Sequence, residues 1–186
     1  MSAIQQQFAT RLKALRAERR WSLDRAATET GVSKAMLGQI ERGESSPTLT
    51  TLWRLAKGYG VGFSTLIEPV EKGLNNDDAA IGSVSRVTPE ESALAVKTIL
   101  PFAAELHSEL LDVEMEPGGL RESDAHRSGV IECILVQSGE LSVFSDDQWH
   151  RLRTGDAHRF RADQSHAYRN ESPDKPARFL NVLVYP

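Results

Sequence analysis

SLDRAATETGVSKAMLGQIERGESSPTLTTL, residues Ser22 to Leu52, carries the densest structural punctuation in the chain. Ser22 is placed to accept from a backbone N–H and so cap a helix over Leu23–Thr30. Gly31 can then take the left-handed conformation that ends it. Ser33 is set to cap the next helix, which runs to about Arg42 and stops at Gly43. A fourth helix is expected after Pro47, carrying Leu49, Leu52, Trp53 and Ala56. Upstream, Ile4, Phe8, Leu12 and Leu15 recur at spacings of four and three, which predicts one apolar face on a helix from Ala3 to Arg20. Downstream, Phe63–Ile67 reads as a short fifth helix before Pro69. No strand-like alternation precedes residue 80.

At about 100° per residue, the third helix sorts into two faces. Leu37 and Ile40 point to a core. Ala35, Gly38, Gln39 and Arg42 fall opposite, with Lys34 at the edge. Two short helices about a tight glycine turn have the layout of a DNA-reading helix-turn-helix. Small Ala35 and Gly38 would let the backbone approach a major groove. Gln39 can pair with the adenine edge, and Ala35 can touch a thymine methyl. Lys34 can reach guanine or phosphate. Arg42, at the C-terminal end, suits a phosphate, and the Ser33-capped N-terminus favours a nearby anion. The wheel alone fits equally well a plain helical bundle in which these polar groups are merely solvated.

Residues 8–68 resemble the lambda-repressor-like (Xre-type) helix-turn-helix family. The matching elements are RLKALR at 11–16, Ala27, Gly31, LGQIERG at 37–43 and SPTLTTLWRLA at 46–56. The resemblance implies a five-helix bundle with base contacts from Lys34, Ala35, Gly38 and Gln39. It implies contacts near phosphates or the groove edge from Ser22, Leu23 and Arg42. Leu23 departs from the glutamine common at its position. An ion pair between Arg16 and Glu41 is also implied, as is a homodimer on a near-palindromic operator, with half-sites about 34 Å apart.

The overall charge of −4 hides an asymmetry. Residues 1–70 hold 10 Lys/Arg against 6 Asp/Glu, whereas residues 71–186 hold 12 against 20. The first part suits phosphate and the second repels it. Apolar content of 40% and charged content of 26% are ordinary for a globular protein. No apolar run reaches the roughly 18 residues of a membrane span, and the N-terminus lacks a signal-peptide core. A single cysteine, Cys133, allows no internal disulfide. These features place the chain in the cytoplasm, away from membranes.

EKGLNNDDAA, residues 71–80, lacks apolar periodicity and reads as a linker between a 1–70 domain and an 81–186 domain. Beyond it the texture becomes β. Short runs at Ala93–Leu100, Glu109–Glu116, Val130–Gln137, Glu140–Phe144 and Phe179–Tyr185 alternate with Gly- and Asp-rich turns. That spacing predicts a β-sandwich or small barrel. Its candidate chemical residues are His126, Glu132, His158 and His166. Spacing alone leaves open whether they ligate a metal or are structural. Cys133 follows Glu132, so it should point to the opposite face and pack outside the barrel.

Residues from about 90 to 186 resemble the cupin family. His126, Ser128, Glu132 and Gly139 fit its first motif, and Gly155, His166 and Asn170 fit its second. The resemblance implies a jelly-roll barrel (a double-stranded β-helix) with metal ligands His126, Glu132 and His166. Ser128 stands where the motif has a second histidine, and Arg161 and Asp163 replace the usual proline and glycine. Two His and one Glu with open positions suit Zn²⁺, Fe²⁺ or Mn²⁺. The competing reading is a metal-free pocket in which the same residues hydrogen-bond an effector. Arg121, Glu122, Arg159 and Tyr168 are candidate polar contacts to such a ligand.

The runs GVSKAMLGQIERGESSPTLTTLW and HAYRN also resemble bacterial regulators of sulfur utilisation, implying a small sulfur-containing metabolite or amino acid as effector. The expected function is a transcriptional regulator, not an enzyme, with an effector-sensing barrel. The alternatives are a metal-dependent cupin dioxygenase or isomerase with an appended DNA-binding module, and a DNA-binding interaction protein with a structural barrel.

Overall fold

The computed structural model describes residues 3–67, 86–87 and 93–186. The expected linker at 71–80 lies outside the described residues. The chain divides into two compact units, Met1–Ser83 and Val84–Pro186.

The first unit is helical: α1 (Ala3–Glu18), α2 (Leu23–Thr30), α3 (Lys34–Glu41), α4 (Leu49–Tyr59) and α5 (Phe63–Ile67). The expected caps are present. Ser22 Oγ accepts from the Arg25 N–H and Ser33 Oγ from the Met36 N–H, while Gly31 sits at φ 67°. Thr48, not foreseen as a cap, closes the start of α4 by accepting from the Thr51 N–H. Phe8, Leu12 and Leu15 of α1 are buried with Leu37, Ile40, Leu52 and Leu55. Trp21 stacks on Tyr59 at 5.1 Å and Trp53 on Phe63 at 4.2 Å. The buried Thr30 hydroxyl donates to the Ala26 carbonyl and accepts from the Val32 N–H, so the turn between α2 and α3 leaves no polar group stranded there. Gly58 is the close-packing residue: a Cβ there would lie 2.6 Å from Thr30 Cα, so only glycine lets α4 approach α2 this closely.

The second unit is two antiparallel sheets. One has the order β1 (Arg86–Val87), β2 (Leu94–Ala103), β3 (Ser108–Met115), β10 (Ala177–Val184), β5 (Ile131–Ser138), β8 (Ala157–Arg161). The other runs β4 (Leu120–Ser123), β9 (His166–Arg169), β6 (Glu140–Ser145), β7 (Gln148–Arg153). Alternate residues turn inward. Val96, Leu111, Val113, Ile134, Val136, Phe179 and Leu183 from the first sheet are buried with Leu141, Val143 and Leu152 of the second. Tyr168 of β9 stacks on Phe179 of β10 at 5.8 Å, across the two layers. Two sheets closed over one core in this way form the expected jelly-roll barrel.

Candidate functional site

The helical unit presents α3 as expected in outline. Leu37 and Ile40 are each 1% exposed, while Ser33, Lys34, Ala35, Gln39 and Arg42 are open to solvent. Ser22 is exposed beside them and Leu23 is half-buried. Gly38 is a correction: it is buried, not open. The Arg42 guanidinium folds back across it, and a Cβ on Gly38 would stand 3.0 Å from Arg42 Nη1. Its smallness therefore makes room for Arg42 rather than leaving a bare floor. Arg42 is held in that pose by a two-point pair to Glu44, Nε–Oε1 at 2.8 Å and Nη2–Oε2 at 2.7 Å. Lys34 pairs with Asp24 at 2.9 Å. Both pairs are solvent-exposed and contribute little stability, so a phosphate can compete for either cation. Met36, 41% exposed on the same helix, escaped the wheel reading.

Behind the reading helix, Arg16 of α1 meets Glu41 with Nε–Oε1 at 2.6 Å and Nη2–Oε2 at 2.8 Å. Its Nη1 also donates to the Trp21 carbonyl at 2.9 Å. Glu41 is 7% exposed, so this pair pins α1 and the turn before α2 to the end of α3. Its geometry is the implied one. Such a pair sets registry more than net stability.

In the barrel, three of the sequence candidates converge. His126 precedes β5, Glu132 lies on β5 and His166 opens β9; their ligand atoms all fall within 4.8 Å of one another. His126 Nε2 stands 2.8 Å from Glu132 Oε1, and His166 Nε2 stands 3.5 Å from the same oxygen. The other carboxylate oxygen, Oε2, accepts from Tyr168 Oη and, at 2.7 Å, from Asn181 Nδ2. Burial opposes ionisation of Glu132, but His126 and His166 outweigh it and hold the carboxyl well below its usual range. Burial likewise lowers His166, yet Glu132 prevails and raises it. Burial and Glu132 together push the Tyr168 phenol well up, keeping it a donor.

The tautomer of His166 follows from its neighbours. Nδ1 lies 2.9 Å from the Gln164 carbonyl, an acceptor only, so Nδ1 carries a proton. Nε2 is buried and makes no hydrogen bond among the described residues. It must either carry a second proton toward Glu132 or offer a lone pair to a cation. A carboxylate, an oriented imidazole and a second imidazole within reach are a donor set that fits a divalent metal.

The remaining candidates separate. Arg121 is half-buried, registers with Tyr168, and its charge is felt at His166 and Tyr168. Glu122 and Arg159 are exposed, and each lies one residue out of phase with the inward positions of its strand. The structure does not bring them to the cluster. Ser128 is exposed in a turn, so no fourth side chain replaces the missing histidine there. His158 is also apart: its Nε2 meets Ser145 Oγ at 3.0 Å and its ring faces His150 at 4.4 Å. Cys133 is half-buried and registers with Val182 and Arg159, on the side away from Glu132. Asn170 proves to be a brace. Its amide donates to the carbonyls of Met115, Glu116 and Lys175 and its oxygen accepts from the Ser172 N–H. Asn181 is the residue that sequence reading missed.

A helix-turn-helix bundle joined in one chain to a β-barrel with an inward His/Glu cluster defines a class: helix-turn-helix regulators carrying a cupin domain. The chain matches the helix-turn-helix family over residues 12–66 and the cupin domain over residues 111–183. It belongs to this family of transcriptional regulators. It is 41% identical over 179 residues to the HTH-type transcriptional regulator SutR of Escherichia coli, spanning 96% of this chain and 95% of that protein. A crystal structure of an HTH_3 family transcriptional regulator from Vibrio cholerae is 41% identical with a TM-score of 0.83, covering 98% of this chain and 97% of that one. A structure of Fe(II) HppE, 20% identical with a TM-score of 0.50 over 97% of this chain and 100% of that one, shares the fold alone. No helix among the described residues is long and apolar enough to cross a membrane.

Proposed function

We propose that this regulator binds a near-palindromic operator as a homodimer and that its barrel senses a small molecule at a divalent-metal centre. His126, Glu132 and His166 would hold the cation; Zn²⁺, Fe²⁺ and Mn²⁺ all suit two imidazoles and a carboxylate. The observation that carries this reading is the convergence of three buried or half-buried ligand groups, one of them an imidazole nitrogen, 3.5 Å from Glu132 Oε1, with no hydrogen-bond partner among the described residues. A bound cation would supply an electrophilic position open to a lone pair of the effector. Arg121 would orient the effector's polar groups, and Tyr168, whose hydroxyl donates to Glu132, would act through that carboxylate. A small sulfur-containing metabolite or amino acid is the effector class that the resemblance of the two sequence runs implies. The barrel acts as a sensor and not as a catalyst.

On the DNA side, Lys34, Ala35 and Gln39 read bases. Ser22, Leu23, Ser33 and Arg42 lie along the backbone contact, with Gly38 making space for Arg42. A 10-fold change in operator affinity requires the effector to favour one state by about 1.4 kcal/mol. The test is operator binding by metal-free full-length protein, repeated with Zn²⁺, Fe²⁺ or Mn²⁺ and then with sulfur-containing amino acids and their metabolites. Tight metal uptake that vanishes in His166→Ala, with operator affinity shifted by one added metabolite, is the expected result. Equal operator affinity under all conditions would sink the sensing role. Turnover of an added metabolite, lost in His126→Ala, would make the barrel an enzyme instead.

A further inference from the structure

The two oxygens of Glu132 are dressed differently. Oε1 faces both imidazoles, whereas Oε2 already accepts from Tyr168 on one sheet and Asn181 on the other. An ionised carboxylate only accepts, which fixes the Asn181 amide with Nδ2 toward Glu132. Its Oδ1 then points elsewhere in the interior, buried and without a hydrogen-bond partner among the described residues. Asn170 shows what a purely structural buried asparagine looks like in this barrel: both ends of its amide are satisfied by backbone groups. Asn181 is half-satisfied, on a strand whose other inward residues are Ala177, Phe179 and Leu183. An apolar residue would fill that position with no stranded oxygen.

We infer that Asn181 is a positioning residue for the metal centre. It occupies Oε2 jointly with Tyr168, so that Glu132 meets a cation through Oε1 alone and stays a one-oxygen ligand. The coordination positions thereby left open go to the effector or to water. This rests on the metal-centre reading above.

The experiment titrates Co²⁺ into metal-free full-length protein and follows both affinity and the visible absorption spectrum. Asn181→Leu should weaken Co²⁺ by about 10–100-fold and change the spectrum, because Oε2 is then held by Tyr168 alone. Tyr168→Phe, which removes the other donor to Oε2, should shift both readouts in the same direction. A merely structural asparagine would alter unfolding temperature without altering the spectrum. If Asn181→Leu does not fold, Asn181→Ala takes its place with the same two readouts. Parental affinity and spectrum in the folded variants would overturn the assignment of Asn181 while leaving the metal centre intact. Failure of the parent to bind Co²⁺ would overturn both.

Discussion

Gln39 and Arg42 lie on one exposed helix face, but their chemistry predicts different defects. Gln39→Ala should cost about 1–3 kcal/mol at one base position and relax preference there. Arg42→Ala should weaken all sequences alike and reduce the slope of log affinity against log salt by about one. Operator variants titrated at several salt concentrations separate the two. If neither variant departs from the parent on any sequence, the reading face is misassigned. Glu132 and His166 make a prediction of the opposite kind, in pH. Against burial, His126 and His166 depress the Glu132 carboxyl from an ordinary 4.5, so its stabilising contribution is present above pH 4.5 and lost as pH falls through the depressed value. Against burial, Glu132 raises His166 from an ordinary 6.5, so that contribution is complete below pH 6.5 and lost as pH climbs through the raised value. Metal-free protein should therefore gain most from this cluster between pH 4.5 and 6.5. Added Zn²⁺ should stabilise increasingly above that window, because it replaces the proton on Nε2. Thermal unfolding with and without chelator across pH checks it; a metal-induced gain independent of pH would contradict it.

The contact of α2 with α4 is set by a missing side chain. Gly58→Ala would drive a methyl to 2.6 Å from Thr30 Cα, and overpacking of that kind costs about 1–3 kcal/mol. Chemical denaturation measures it; an unchanged midpoint would mean the two helices part freely. Helices like these were readable from sequence because their signals are local. Ser22, Gly31 and Ser33 announce ends within a few residues, and Leu37 and Ile40 recur with the helical period. The barrel was readable only in part. The apolar runs at β2, β3, β5, β6 and β10 are legible near their observed limits, but β4, β7, β8 and β9 do not read as strands. LRES, QWHRLR, AHRFR and HAYR carry arginines or acids at outward positions, so a short strand shows few apolar residues. The same alternation explains Glu122 and Arg159, polar residues close in sequence to the site but facing away from it. His126, Glu132 and His166 were named through motif resemblance, since spacing alone could not show that β9 folds over β5. Asn181 had no local signal whatever. It reaches Glu132 only because β10 pairs with β5 in the register that sets Asn181 beside Ile134.

The helix-turn-helix match over residues 12–66 presents one α3 of eight residues, a length suited to a single half-site. Charge sharpens the limit: residues 1–70 bear an excess of cations, while residues 71–186 hold 12 Lys/Arg against 20 Asp/Glu and add no general attraction for phosphate. On the proposed homodimer, joining two copies would make the second contact intramolecular, at an effective concentration in the millimolar range for short connections. An operator with two half-sites one helical turn apart should bind far more tightly than either half-site alone. Inserting about five base pairs between them rotates one half-site to the opposite face of the duplex, given the repeat of 10–10.5 base pairs. That insertion should abolish the gain without touching a single base contact, while about ten inserted pairs should restore part of it. Gel-shift titrations of the four duplexes, read with the mass of the complex, make the comparison. Equal affinity for the half-site and the full operator would show that the chain works as a monomer, and control of the dimer by the barrel would fall with it.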